Sequence, residues 1–194
     1  QGVRQVEHVA GDDPGVLAQV HPQQGGDLVV ARPAGAQPSA EVGPAVTRSA
    51  AHAGESSTPA LTILMVSASP DSRVRLRVDR EFREIIARMR GTRHRDRFRF
   101  EQVQAARFDD LRSALLEHQP HVLHISSHGA PDGSLVFEGE GQGARKVPRK
   151  KIIQLLESLR DNLRLVVINA CDSHQLAREL APTVELAIGM SDRV

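Results

Sequence analysis

The sequence predicts an α/β fold with a mainly parallel sheet, and three observations carry that expectation. Short apolar runs alternate along the chain with segments whose large apolar residues recur at helical spacing, the order expected when helices cross back over a sheet. The first run, residues 61–66, is continuous rather than alternating with polar residues, as in a strand covered on both faces. The regularity starts only at residue 61. Residues 1–58 contain no Ile, Met, Phe, Trp or Tyr, two Leu, and thirteen Gly plus Pro, too few large side chains to offset the entropy of ordering.

Residues 1–58 are therefore expected to be disordered or loosely structured, and residues 59–194 to form one domain. Charge changes at the same boundary, with three basic against six acidic side chains before it and 22 against 18 after it. Within the first segment Leu28, Val29, Val30 and Ala31 have the makings of an edge strand, but Pro33 and the surrounding glycines favour a linker. Residues 61–66 read as a buried strand ending in a turn at 67–71. Val78, Phe82, Ile85, Ile86 and Met89 mark a helix, capped by Asp71 or Ser72 and stopped by Gly91. Residues 98–103 give a second strand, and Leu111, Leu115 and Leu116 a helix ending near Pro120. Residues 121–126 form the third strand, followed by a hairpin-like stretch through 135–137. Ile152, Ile153, Leu155, Leu156 and Leu159 line another helix. Residues 163–168 make the fourth strand, Leu176 and Leu180 a short helix, and residues 184–188 the fifth strand.

Composition narrows the function. With 25 basic and 24 acidic side chains in 194 residues, the chain lacks the basic excess of a dedicated nucleic-acid or membrane-surface binder. No apolar run reaches the 18 residues of a spanning helix and no signal sequence opens the chain, so a soluble, cytoplasmic protein is expected. Cys171 is the single cysteine, which excludes an internal disulfide and a cysteine-built zinc site. His118, His121, His124 and His128 recur closely, but a strand points His121 and His124 to opposite faces and nothing completes a ligand set. His124 reads instead as a histidine that holds the following loop. Gly139, Gly141 and Gly143 follow a hairpin rather than opening a helix, so they read as a turn. The cluster Arg145, Lys146, Arg149, Lys150, Lys151 reads as a solvated helix start. The arginines between Arg73 and Arg99, mixed with Asp79, Glu81, Glu84 and Asp96, read as a solvated face.

Chemistry in such sheets collects beyond the carboxyl ends of the strands. The third strand runs into Ser126, Ser127, His128 and Gly129, and the fourth into Asn169, Ala170, Cys171, Asp172 and Ser173. If the two strands are neighbours, His128 and Cys171 face one another across a crevice. An ordinary thiol is mostly protonated at neutral pH, and a nearby imidazole is the group that would take its proton. Gly129 leaves a backbone N–H unshielded, and with the Cys171 N–H it offers an oxyanion hole. Taken alone, a cysteine after an apolar strand is an ordinary small core residue and a His-Gly pair an ordinary turn. Their joint placement at strand-to-loop junctions is what points to an acyl-transfer site.

The same residues carry a resemblance. The string from Val122 to Gly129, then Leu135 to Glu138, Leu165 to Ser173, and Ala187 to Asp192 resembles the CHAT domain, a caspase-like cysteine peptidase family, and the opening from Ile63 to Ile86 is similar to that family's first strand and helix. The resemblance covers about residues 60–194. It implies a three-layer caspase-hemoglobinase fold, with His128 as the base and Cys171 as the nucleophile of a dyad. It also implies a cysteine endopeptidase with a protein substrate, needing no cofactor. Such domains are usually bacterial and fused to repeat or effector modules, which residues 1–58 do not resemble. The family's final strand and helices are expected beyond Val194, so the fifth strand is expected to expose an edge and this span to be inactive alone. Asp192, just past that strand, stands where the fold's loops line the pocket for the residue before the scissile bond, and would favour Arg or Lys there. A solvated terminal residue or helix cap is the competing reading. The alternative for the whole domain is a non-catalytic signalling module on a TIR-like or flavodoxin-like sheet.

Overall fold

The computed structural model describes residues 16–20, 27–33, 61–70, 78–141 and 143–191. In chain order the elements are β1 (Val16–Val20), β2 (Asp27–Ala31), β3 (Leu61–Ser67), α1 (Val78–Arg90), β4 (Phe98–Val103), α2 (Phe108–His118) and β5 (Val122–Ser126). Then come β6 (His128–Gly129), β7 (Leu135–Glu138), β8 (Ala144–Val147), α3 (Arg149–Ser158), β9 (Leu165–Asn169), α4 (His174–Leu180) and β10 (Leu186–Ser191). The main sheet has the order β1-β2-β10-β9-β5-β3-β4, and β6, β7 and β8 form a separate small sheet. From β10 to β4 every neighbouring pair is parallel. This mixed α/β architecture with a mainly parallel central sheet is compatible with a caspase-like fold.

The five parallel strands are those expected from the sequence, and their differences have local causes. Strand β9 begins two residues late because the Leu163 N–H closes a turn onto Arg160 O at 3.1 Å. Helix α2 begins at a bond from the Arg107 N–H to Asp110 Oδ2 at 2.8 Å. It stops at Gln119, whose φ of 42° leaves the helical region; Pro120 disfavours that region for the residue before it. Its buried stripe is Leu111, Ala114 and Leu115, whereas Leu116 is exposed. The residues expected to cap α1, Asp71 and Ser72, lie outside the described residues.

Burial alternates along β5, β9 and β10, because one face of the sheet is covered more completely than the other. Register places Leu64, Leu123, Val166, Ala187 and Ala31 in a row across five strands, each no more than 1% exposed. Against this face pack Leu111, Ile152, Leu156, Leu176 and Leu180 from α2, α3 and α4, with Phe137 from the small sheet. Helix α1 lies on the opposite face, where Glu81 meets Ser126 and Asn169.

Leu28 to Ala31 are not a linker. Strand β2 pairs antiparallel with β10, setting Ala31 opposite Ala187 and Val29 opposite Gly189, and both Val29 and Ala31 are buried. Pro33 lies beyond the strand, where its missing N–H costs no ladder bond. The same pairing covers the edge of β10 that the sequence leads one to expect open. The rest of residues 1–58, apart from β1 and the two residues after β2, lies outside the described residues. Among the described residues no helix is long and apolar enough to cross a membrane.

This pairing gives a direct prediction. Val29→Asp puts a carboxylate into the row facing Gly189 and should lower stability by about 2–4 kcal/mol in a urea titration. A solvated linker residue would change it by less than about 0.5 kcal/mol.

Candidate active site

Strands β5 and β9 run side by side in the same direction, with Ser126 opposite Asn169 at their carboxyl ends. The coupling persists one residue further, where the Ser127 N–H donates to Asn169 O at 3.2 Å. His128 and Cys171 each lie two residues beyond the Ser126–Asn169 pair. Parallel pairing thus delivers both to one end of the sheet, the end at which α/β proteins bind ligands.

Gly129 makes the approach of the two segments possible. A β-carbon at this position would lie 1.8 Å from Cys171 O and 2.9 Å from Cys171 N, well inside contact distance, so the backbone of Gly129 rests against the backbone of Cys171. His128 and Gly129 form β6, paired with Val136 and Leu135 of β7, which turns the chain out of the main sheet just above Cys171.

Cys171 is exposed, at the tip of a turn whose flanks are buried: Ala170 is 3% and Ser173 0% exposed. Asp172 adopts φ 55°, a left-handed conformation that short polar side chains tolerate better than most. Ser173 holds the turn from beneath. Its Oγ donates to Ile168 O at 3.0 Å and accepts the Met190 N–H at 2.9 Å. Gly189 permits this approach of β10, since a β-carbon there would come within 2.6 Å of Ser173 O.

Arg149, the first residue of α3, ties the loop after His128 to the helix after Cys171. Its Nη1 donates to Asp132 O at 2.9 Å and to Gln175 Oε1 at 2.7 Å, while its Nε pairs with Glu179 at 3.0 Å. Asp132 is in turn bonded by Lys146 at 2.8 Å. Lys146, and after it Ser134, hold the Asp132 carboxyl down to about 2. Of this basic cluster, read as a solvated helix start, Arg149 does open α3 but is partly buried and bonded, while Lys146 is exposed and lies on β8 rather than on the helix.

Beneath the His128 and Cys171 segments lies a polar cluster centred on Glu81 of α1. Glu81 Oε1 accepts from Asn169 Nδ2 at 2.8 Å and faces His124 Nε2 at 3.4 Å, and Oε2 accepts from Ser126 Oγ at 2.7 Å. Burial pushes this carboxyl up, but the bonds and charge of His124 and the bonds from Ser126 and Asn169 outweigh it and hold it below the ordinary glutamate range. Glu81, His124, Ser126, Phe82 and Met65 line a small pocket between α1 and the sheet, and His128 and Cys171 do not line it.

Of the residues singled out from the sequence, His128, Gly129 and Cys171 come together, and Asp192 lies outside the described residues. His121 serves the sheet, its Nδ1 accepting the Thr62 N–H at 3.1 Å. Among the described residues no group of three His, Cys, Asp or Glu side chains is placed to hold a metal ion. The reading of α1's charges as a solvated face is wrong for Glu81. The signal in the sequence is its spacing, three residues after Val78 and four before Ile85, which sets a carboxylate on the apolar stripe of α1.

A mainly parallel α/β sheet of this order, with four helices, is compatible with a caspase-like fold. A model of the CHAT domain matches residues 16–191, and the chain belongs to the CHAT domain family. The match takes in β1 and β2 as well as the parallel strands. The chain is also similar to a protein of Gillisia limnaea named "Probable protease", with 25% identity over 129 residues, which cover 66% of this chain and 23% of that protein. It thus spans about a quarter of the length of that relative. The findings support a peptidase at the level of the family.

Two predictions follow from this geometry. Gly129→Ala must displace the Cys171 turn, lowering stability by about 1–3 kcal/mol in thermal or urea melts. The depressed Glu81 carboxyl contributes stability that is fully present above the ordinary glutamate pKa and lost as pH falls through its folded value. Between pH 7 and pH 3 the wild-type urea midpoint should therefore fall further than that of Glu81→Gln, which has no proton to take up.

Proposed function

We propose that this domain is a cysteine endopeptidase acting on a protein substrate through a His128–Cys171 dyad, as one module of a larger bacterial signalling or defence protein in the cytoplasm. The observation that carries the reading is the shared offset of the two residues beyond the Ser126–Asn169 pair, with Gly129 packed on the Cys171 backbone. His128 takes the thiol proton, and the Cys171 Sγ attacks the scissile carbonyl carbon to form a tetrahedral oxyanion. The Gly129 and Cys171 N–H groups donate to that oxygen. As the C–N bond breaks, His128 returns the proton to the leaving amine. Water, deprotonated by the same imidazole, then cleaves the thioester and restores the thiol. This sequence needs no cofactor. Asp192 would favour Arg or Lys before the scissile bond by charge pairing, which profiling of a peptide library tests; a preference for acidic or apolar residues there removes that part of the proposal.

Because Cys171 is the single cysteine, its alkylation reads the site without knowledge of the substrate. The expected result is that iodoacetamide reacts with Cys171 at pH 7 faster than with the unfolded chain, and that His128→Ala slows the reaction about tenfold. Equal rates in wild type and His128→Ala would falsify the dyad. In the natural full-length protein, Cys171→Ala should abolish peptide cleavage while leaving the melting temperature within a few degrees.

A further inference from the structure

The Glu81 carboxylate stands at the Ser126–Asn169 pair, two residues before His128 and Cys171. Ser126 and Asn169 are opposite one another in register, and each donates to a different oxygen of the same carboxylate, at 2.7 and 2.8 Å. A single side chain from α1 therefore bridges the two strand ends on which the dyad residues are mounted. His124, two residues before Ser126 on β5, faces the same carboxylate at 3.4 Å. Apolar side chains in place of the whole cluster, Ser126, Asn169 and His124 included, would avoid the desolvation of a carboxylate and serve stability as well or better. What the carboxylate adds is direction, since two charge-assisted bonds fix both the separation and the rotation of the groups that make them.

We propose that Glu81 is a positioning residue: by bridging Ser126 and Asn169 it sets the separation of the β5 and β9 ends, and through them the approach of His128 to Cys171. The proposal rests on the dyad reading above. Glu81 is not assigned contact with substrate or with the reacting atoms. Its effect passes through two residues of backbone on each strand, a lever short enough that loss of the bridge is felt as misplacement of the dyad.

The test measures the rate of Cys171 alkylation by iodoacetamide against pH in the full chain, for Glu81→Ala, Glu81→Asp and Glu81→Gln. Glutamine has the reach of glutamate and can bridge the same partners, its Oε accepting from Asn169 and its amide donating to Ser126. Aspartate keeps the charge but is one methylene too short. Positioning therefore predicts that Ala and Asp slow the neutral-pH reaction about tenfold and move the profile toward that of the unfolded chain, while Gln stays within about threefold of wild type. A role through charge alone gives the reverse order, Asp retained and Gln lost, and overturns the proposal. So does a wild-type profile in Glu81→Ala, which would leave Glu81 a structural residue only. Where the Ala and Asp variants do not fold, Ser126→Ala and Asn169→Ala each remove one arm of the bridge with Glu81 in place. Slowing of about threefold or more in both supports the bridge, and wild-type rates in both overturn it. His128→Ala separates the two readings. A wild-type rate in that variant removes the dyad, whereas a slow His128→Ala beside a fast Glu81→Ala removes the positioning role and leaves the dyad standing.

Discussion

The parallel register of β5 and β9 is the constraint on which the site depends. In an antiparallel pair the chain leaves neighbouring strands at opposite ends, so residues just beyond the two strands lie a strand length apart. Parallel neighbours leave at the same end. Once Ser126 is opposite Asn169, two residues of further chain on each strand suffice to bring His128 and Cys171 together. The cost of parallel pairing is a long crossover, met here by the small sheet and α3 between β5 and β9. Those elements are also used at the site, because β6 is the segment that carries His128.

From that register the remaining contacts follow in sequence. Two backbones converging above the sheet need one position without a side chain, and Gly129 supplies it against Cys171. The Cys171 turn must then be held without covering the thiol, so its anchors come from below and behind. Ser173 joins it to β9 and β10, and Arg149 joins its following helix to the loop after His128. Isolated exposed ion pairs contribute little to stability. Arg149 matters in a different way, since one guanidinium fork satisfies groups on both segments at once and so relates their positions.

Much of this is legible in the sequence because local pattern and tertiary role agree in the parallel strands. A run such as residues 61–66 has few alternatives to a buried strand, and its turn marks the sheet end where chemistry collects. The same pattern at residues 121–126 and 163–168 is enough to single out His128, Gly129 and Cys171. Strand β2 is illegible for a tertiary reason. Residues 28–31 carry only small and branched apolar side chains between glycines, and their burial depends on a partner, β10, more than 150 residues later. Glu81 is hidden for a related reason. Charge density around α1 describes a solvated face, and only the approach of β5 and β9 beneath that helix shows that one of its carboxylates has donors waiting.

The two faces of the sheet accordingly serve different ends. The face toward α2, α3 and α4 is apolar and almost completely closed, with its central row no more than 1% exposed, and it supplies most of the area removed from water. The face toward α1 is less complete and ends in a polar row at Ser126 and Asn169 under Glu81. Hydrophobic burial is strong but non-directional, so it fixes that the strands pack and leaves small displacements along and between them inexpensive. Hydrogen bonds to an ionised carboxylate are fewer but directional. The proposed dyad, which needs proton transfer over hydrogen-bond distance, gains more from direction than from area. It is therefore consistent that the half-buried carboxylate stands on the less closed face, two residues before the histidine and the cysteine, and not in the core that holds the domain together.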